Sequence, residues 1–141
     1  MADDLTMAIK KHDEAIRLNP HYADRYSVVD YKIMLEYYEQ AMDDIARVIR
    51  KIERYPHDAE AYYNRGNVYR GLGEWERAIE DYDKAIRLNP EYAEAYLFRG
   101  EVYKEQGKKA VAIADFEKLI SLTDEPSLSW NAKYYIEELS K

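Results

Sequence analysis

Hydrophobic and small residues recur every three or four positions along two consecutive segments, 59–92 and 93–126. Each segment divides at a glycine into two stretches with helical spacing. Aligned without a gap, the two segments share 16 of their 34 residues, including the turn residues Gly73 and Gly107. A fixed period of this length predicts a solenoid of stacked helical units, in which each unit contacts only its neighbours.

The first segment shows why each unit should form a helical hairpin. The residues predicted to face the partner helix are small or aromatic: Tyr62, Gly66, Tyr69, Ala78 and Tyr82. Small residues allow two antiparallel helices to approach closely, and tyrosine rings fill the space around them. Gly73 suits a left-handed helix end. Pro90 predicts the end of the second helix, because proline disfavours helical geometry in the residue before it.

This pattern resembles the tetratricopeptide repeat (TPR), a helix-turn-helix unit with aromatic, small, turn and proline residues at fixed places. In 59–92 the matching residues are Tyr62, Gly66, Tyr69, Gly73, Ala78, Tyr82, Ala85 and Pro90. Segment 93–126 matches through Phe116 and departs at Leu119 and Asp124, with Pro126 two residues late. The resemblance implies an all-α fold, an α-solenoid of antiparallel helix pairs stacked in a right-handed superhelix.

The rest of the chain completes a single predicted domain, 1–141. We expect three elements besides the two repeats: a half-repeat helix at 2–19, a degenerate repeat at 23–58 and a capping helix at 127–140. The half-repeat is predicted because residues 15–20 echo residues 85–90. The cap is expected because a solenoid needs a polar outer face on its final unit.

The degenerate repeat leaves two interpretations open. Glu36 takes the place of the turn glycine, and apolar residues keep an unbroken helical spacing from 24 to 55 without glycine or proline. The favoured interpretation is a hairpin with an atypical turn. The alternative is one continuous helix of roughly 45 Å. Helix 2–19 would then pack on a second copy, which makes the chain a self-assembly module that forms a domain-swapped homodimer.

Composition narrows the class of protein. The chain has 141 residues, a net charge of −7, no cysteine and 47% hydrophobic residues. It is too apolar for disorder, and disulfides and thiolate metal sites are excluded. The charge forms no basic stripe, so we expect no nucleic-acid partner. No apolar run is long enough to span a bilayer, and we expect a cytoplasmic protein without a membrane partner.

Candidate catalytic chemistry is weak. His12, His21 and His57 are isolated in the sequence, and no glycine-rich phosphate loop or nucleophile motif occurs. We therefore expect no enzyme, no metal site and no cofactor.

The resemblance implies instead a concave face, lined by the first helices, that binds peptides. The candidate groove residues lie one helical face away from the packed residues: Tyr31, Glu60, Tyr63, Asn64, Asn67, Arg70, Glu94, Leu97, Phe98, Glu101, Lys104 and Asn131. Tyr135 would extend this face, with Asn131, into the capping helix. We expect a non-catalytic scaffold for a protein or peptide partner whose identity the sequence does not reveal. Asn67 would bracket a peptide backbone. Tyr63, Leu97 and Phe98 would take an apolar side chain, and Glu94 and Glu101 would favour a basic one.

Two considerations limit that expectation. Polar residues on this face are also what a solvated helix surface shows. In addition, Ser27 and Glu101 occupy places where a family pocket for a C-terminal carboxylate needs basic or neutral donors. Binding of an acidic tail is therefore not expected.

Overall fold

The computed structural model describes residues 28–141, with side chains from residue 33 onward. Six α-helices and no strand occur in this part of the chain: α1 Val28–Arg54, α2 Ala59–Gly71, α3 Trp75–Leu88, α4 Ala93–Glu105, α5 Lys109–Leu122 and α6 Pro126–Leu139. The chain divides into two units, 1–43 and 44–141. The predicted helix 2–19, together with His12 and His21, lies outside the described residues.

Helices α2 to α6 form the predicted solenoid. Helix α2 packs against α3, and α4 packs against α5, so each 34-residue segment is one helical hairpin. Helix α4 also contacts α3 of the preceding hairpin, and α6 packs on α5. Helix α2 contacts α4, and α4 contacts α6, so these first helices lie side by side. The prediction of two hairpins followed by a capping helix is confirmed.

Glycines at the crossing points allow the two helices of each hairpin to approach closely. A Cβ atom on Gly66 would lie 2.9 Å from Cε1 of Tyr82, and one on Gly100 would lie 2.7 Å from Cε1 of Phe116. Both rings are fully buried. Any larger residue at these glycines would displace a ring that has no room to move.

The turns form as the sequence predicts. Gly73 and Gly107 both have φ of 73°, a left-handed conformation that side chains disfavour. The backbone N–H of Gly73 donates to the carbonyl of Arg70, which closes the end of α2. Helix α3 ends at Leu88, because Asn89 adopts an extended conformation before Pro90.

Helix α1 decides between the two interpretations of the degenerate repeat. It runs without interruption from Val28 to Arg54, so the hairpin interpretation is wrong and the continuous-helix alternative is confirmed. The physical reason is local, because Glu36 lacks the left-handed freedom of the glycines that end α2 and α4. Ile33 and Tyr37 of this helix are 59% and 50% exposed.

Ion pairs also connect the helices, at positions away from the surface that the first helices α2, α4 and α6 share. Arg65 of α2 binds Asp81 of α3 with two hydrogen bonds of 2.8 and 2.7 Å. Arg99 of α4 repeats this arrangement with Asp115 of α5, at 2.9 and 2.7 Å. Arg99 also donates to Asp83 of the preceding hairpin at 2.7 Å, so its guanidinium connects the two hairpins. Burial raises the pKa of Asp115, and the bonds from Arg99 offset part of that rise.

Among residues 28–141, no helix is both long enough and apolar enough to cross a lipid bilayer.

Candidate functional site

The predicted groove residues lie on the first helices at positions that repeat every 34 residues. Asn67, Glu101 and Tyr135 share one position on α2, α4 and α6. Arg70 and Lys104 share another, one helical turn closer to the carboxyl ends of α2 and α4. Because the first helices lie side by side, equivalent residues of neighbouring helices come into contact.

An ion pair joins the first two of these helices. Arg70 Nη1 donates to Glu101 Oε2 at 2.6 Å, and the Arg70 guanidinium lies 4.3 Å from the centre of the Phe98 ring. The Glu101 carboxylate also accepts a hydrogen bond of 3.2 Å from the Tyr135 hydroxyl of α6. Burial raises the pKa of Glu101, against the lowering effects of Arg70, Tyr135 and Lys104. Glu101 is therefore the central acceptor of a network that spans three helices.

A second network lies beside it on α2. The hydroxyl of the buried Tyr82 donates to Asn67 Oδ1 at 2.7 Å. The Asn67 side chain also hydrogen-bonds Tyr63, which lowers the pKa of that tyrosine and offsets part of the rise caused by burial. Asn67 is thereby held in one orientation by residues of two helices.

A cleft opens beside the first of these networks, at the carboxyl ends of α2 and α4. Its volume is about 290 Å³, and its lining includes Arg70, Trp75, Glu101, Lys104 and Tyr135. Lys104 Nζ lies 4.9 Å from the centre of the Tyr135 ring and 3.2 Å from a carboxylate oxygen of Glu105. The cleft combines aromatic rings with charged groups whose positions are already fixed.

Aromatic residues occupy the opposite end of the same helices. The Tyr63 ring lies 4.9 Å from the Tyr92 ring and 5.9 Å from the Phe98 ring, measured between ring centres. Tyr92 immediately precedes α4, and all three side chains are half-buried. Burial, followed by nearby Tyr63, Glu60, Glu94 and Asp58, raises the pKa of Tyr92 to about 12.

The structure brings most of the predicted residues together and corrects one. Leu97 is only 4% exposed and belongs to the core cluster with Phe116 and Ala132, so its predicted contact with a ligand is wrong. The reason is that α6 packs over α4, which covers this position. Asn64 and Asn131 are half-buried, and Glu60 and Glu94 are exposed. The side chain of Tyr31 lies outside the described residues.

Two residues of the site were not among the predicted groove residues: Trp75 and Tyr92. Tyr135 is one period after Glu101, so the 34-residue spacing extends the predicted face to it. Trp75 and Tyr92 lie at the starts of α3 and α4 rather than on the face of a first helix. The repeat has an aromatic residue at the equivalent positions Tyr38 and Tyr22, but this does not show that such residues reach the groove.

No group of three or more His, Asp or Glu side chains that is arranged to hold a metal ion occurs in the part of the chain that the structure describes. The site consists of aromatic rings, amides and ion pairs that contact one another.

Family models confirm the class of protein. Three models of the TPR family match residues 38–83, 66–107 and 93–126, and together they span 38–126. The chain belongs to the tetratricopeptide repeat family. Its described part is an all-α helical repeat protein, as the fold independently shows.

Among curated proteins, the chain is similar to serine/threonine-protein phosphatase 5 of Homo sapiens and of Rattus norvegicus. It is 31% identical to each over 90 residues, which are 63% of this chain. The matched region covers 17% of the length of these relatives. The likeness therefore concerns a small part of each phosphatase.

Solved structures of TPR proteins share the fold. YrrB, described as a TPR protein with an unusual peptide-binding site, is 30% identical, with a TM-score of 0.60 over 66% of this chain and 48% of its own. The Arabidopsis OM64 TPR domain is 25% identical, with a TM-score of 0.66 over 72% and 82% of the two chains. The first TPR of Spaghetti (RPAP3), bound to an HSP90 peptide, is 24% identical, with a TM-score of 0.65 over 74% and 82%.

Proposed function

We propose that this chain is a non-catalytic scaffold that binds a peptide or a peptide segment of a protein along the joined surface of α2, α4 and α6. The observation that carries the proposal is the row of contacts Asn67, Arg70, Glu101 and Tyr135, which fixes groups from three successive helices on one surface. Groups held in place before binding lose little conformational entropy when a ligand arrives.

The family relationship supports this proposal. YrrB has a peptide-binding site by its description, and it is among the more similar solved structures. In this chain the cleft lined by Arg70, Trp75 and Tyr135 offers rings for apolar side chains and charged groups for polar ones. The phosphatase activity of the curated relatives is not part of the proposal, because the match spans only 90 residues.

Selection from a displayed library of random nonapeptides tests the proposal. The wild-type protein is expected to enrich a peptide family, and the variants Tyr63→Ala and Lys104→Ala to bind the enriched peptides about tenfold more weakly, the loss typical of one well-packed contact. Glu80→Ala on the exposed face of α3 serves as the matched control and should bind normally. Absence of any enriched peptide family would contradict the proposal.

A second candidate function is self-assembly into a homodimer through α1. It is favoured by the apolar side chains that the continuous helix leaves in solvent, namely Ile33, Met34 and Tyr37, which are 59%, 38% and 50% exposed. Exposed apolar side chains grouped on one helix often mark an interface.

Sedimentation equilibrium tests this candidate. A dimer that becomes a monomer on the double substitution Ile33→Glu and Tyr37→Glu is the expected result. A wild-type protein that remains monomeric at all concentrations leaves the peptide-binding scaffold as the only proposal.

A further inference from the structure

The aromatic end of the groove differs from the other aromatic side chains of α2 and α4. Helices α2 and α4 carry six aromatic residues, and five of their rings lie within 6 Å of the cationic group of a Lys or Arg of this chain: Tyr62, Tyr69, Tyr96, Phe98 and Tyr103. No Lys or Arg among residues 33–141 lies over Tyr63, nor over its neighbour Tyr92. The faces of these two half-buried rings thus lack the cation that the other rings have.

Apart from burial, the charged side chains that raise the pKa of Tyr92 are carboxylates, and Glu94 raises the pKa of Tyr63 by more than Arg70 lowers it. Glu60 and Glu94 lie in the first turns of α2 and α4, one repeat apart, and both are exposed. Neither forms an ion pair with the described Lys and Arg side chains. Both contribute to the raised pKa of Tyr92, after burial and the contribution of Tyr63.

At the other end of the groove, the charged side chains form ion pairs with one another. Arg70 pairs with Glu101 at 2.6 Å, and Lys104 pairs with Glu105 at 3.2 Å. At the aromatic end, Asp58 directly before α2 is also paired, with Lys51 at 3.3 Å. The unbalanced charge of the groove therefore lies at Glu60 and Glu94, beside the two rings that have no cation.

We infer that this end of the groove receives a basic side chain, lysine or arginine, from the bound peptide. The cationic group would lie against the faces of Tyr63 and Tyr92, between the carboxylates of Glu60 and Glu94. A cation is attracted by the negative face of an aromatic ring, and the attraction grows where water is partly excluded. The inference rests on the proposed function, and it names the chemistry that the groove selects at this position.

Positional-scanning libraries test the inference. The probes are N-acetylated, C-amidated nonapeptide pools in which one position is fixed as arginine, lysine, citrulline, glutamine or glutamate, and binding is measured by competition. Citrulline keeps the shape and most hydrogen bonds of arginine but carries no charge. At one position of the peptide, the arginine and lysine pools are expected to bind roughly tenfold better than the citrulline and glutamine pools.

Protein variants locate the effect. Glu94→Gln and Tyr92→Leu are each expected to reduce the preference for arginine over citrulline to about twofold or less. Glu91→Gln is the matched control, because it removes the same charge from an exposed residue that lies three positions before Glu94, outside α4. This control should keep the full preference. A loss of preference in Glu91→Gln as well would contradict a specific site, because it would show a general effect of net charge.

The outcomes separate this inference from the proposed function. Pools that bind the groove equally well with arginine and citrulline at every position would overturn the inference and leave the scaffold proposal intact. A preference for glutamate would overturn it in the same way. Failure of all pools to bind would overturn both.

Discussion

Helix α1 and the hairpin α2–α3 align with the same repeat, yet one is a continuous helix and the other folds back on itself. Three aligned positions account for the contrast. Residue 36 is glutamate where the hairpins have Gly73 and Gly107. The close-approach glycines 66 and 100 correspond to Asp30, and the ion-paired arginines 65 and 99 correspond to Val29.

The comparison teaches that a helical hairpin depends on a few positions rather than on the hydrophobic stripe. The stripe of α1 is as regular as that of α2 and α3, but it specifies only which side of a helix is apolar. Turning the chain needs a residue that tolerates positive φ, and holding the two helices together needs room for a ring at their crossing. Transferring the residues of α1 into α4 and α5 therefore tests each requirement separately.

Gly100→Asp, which copies Asp30 into the second hairpin, should have the largest effect. It places a carboxylate against the fully buried Phe116, where a Cβ alone would lie 2.7 Å from the ring. We expect the free energy of unfolding to fall by about 3–5 kcal/mol, the range for an uncompensated buried charge. Urea denaturation followed by circular dichroism measures this loss. Ala114→Asp, on an exposed position of α5, should cost only about 0.6 kcal/mol.

Arg99→Val, which copies Val29, should have the next largest effect. It leaves Asp115, whose side chain is 8% exposed, without its two hydrogen bonds and releases Asp83 of the preceding hairpin. A loss of about 2–4 kcal/mol is expected, somewhat below the range for a fully buried pair because Arg99 is 18% exposed. Arg65→Val should lose less, since Arg65 pairs with Asp81 alone. Equal losses in the two variants would argue against the bridging role of Arg99.

Gly107→Glu, which copies Glu36, should have a smaller effect. No atom lies within 4 Å of a Cβ built on Gly107, so the cost is the left-handed backbone alone, about 1–2 kcal/mol. Gly107→Asn provides the control, because asparagine tolerates this conformation and should lose less than half as much. Thermal denaturation of the two variants distinguishes them. If both lost the same amount, backbone strain would not be the cause.

The smallest expected effect is the pH dependence that Glu101 gives to the free energy of unfolding. Glu101 corresponds to Tyr31 of α1 in the alignment of the repeats. Burial raises the pKa of Glu101 above that of an exposed glutamate, so the folded state holds this proton more tightly than the unfolded state does. The contribution of Glu101 to the free energy of unfolding should therefore decrease as the pH rises through its folded-state pKa. Carbon-13 NMR titration measures the pKa directly. Arg70→Met should raise it further, because the main opposing charge is lost.

The groove residues show what the 34-residue period predicts correctly and what it does not. The 34-residue period placed Asn67, Arg70, Glu101 and Lys104 on one surface, and the structure has them there. The period alone did not predict that Leu97 is covered, because Tyr63, its equivalent one repeat earlier, is half-buried. Helix α4 lies beside α2 as α6 lies beside α4, so the difference arises from the side chains: Leu97 packs in a cluster with Phe116 and Ala132, whereas the Tyr63 ring lies against Tyr92 and Phe98.

The amino-acid sequence by itself determined the helices, the glycine turns and the pairing of α2 with α3 and of α4 with α5. These features depend on residues close together in the chain, and the requirements for a turn or a close approach can be read at single positions. It left the state of α1 open, because losing a turn glycine weakens a hairpin without showing what replaces it.

Only the tertiary structure decided which groove residues bind one another. Arg70 meets Glu101 across 31 residues, Tyr135 meets Glu101 across 34, and the Tyr92 ring packs on Tyr63 across the boundary between two repeats. Helical periodicity assigns a residue to a face, but the neighbour that covers, pairs with or exposes it comes from another helix. The charge balance of the groove, and with it the preference proposed for a basic side chain, is therefore a property of the packed repeats.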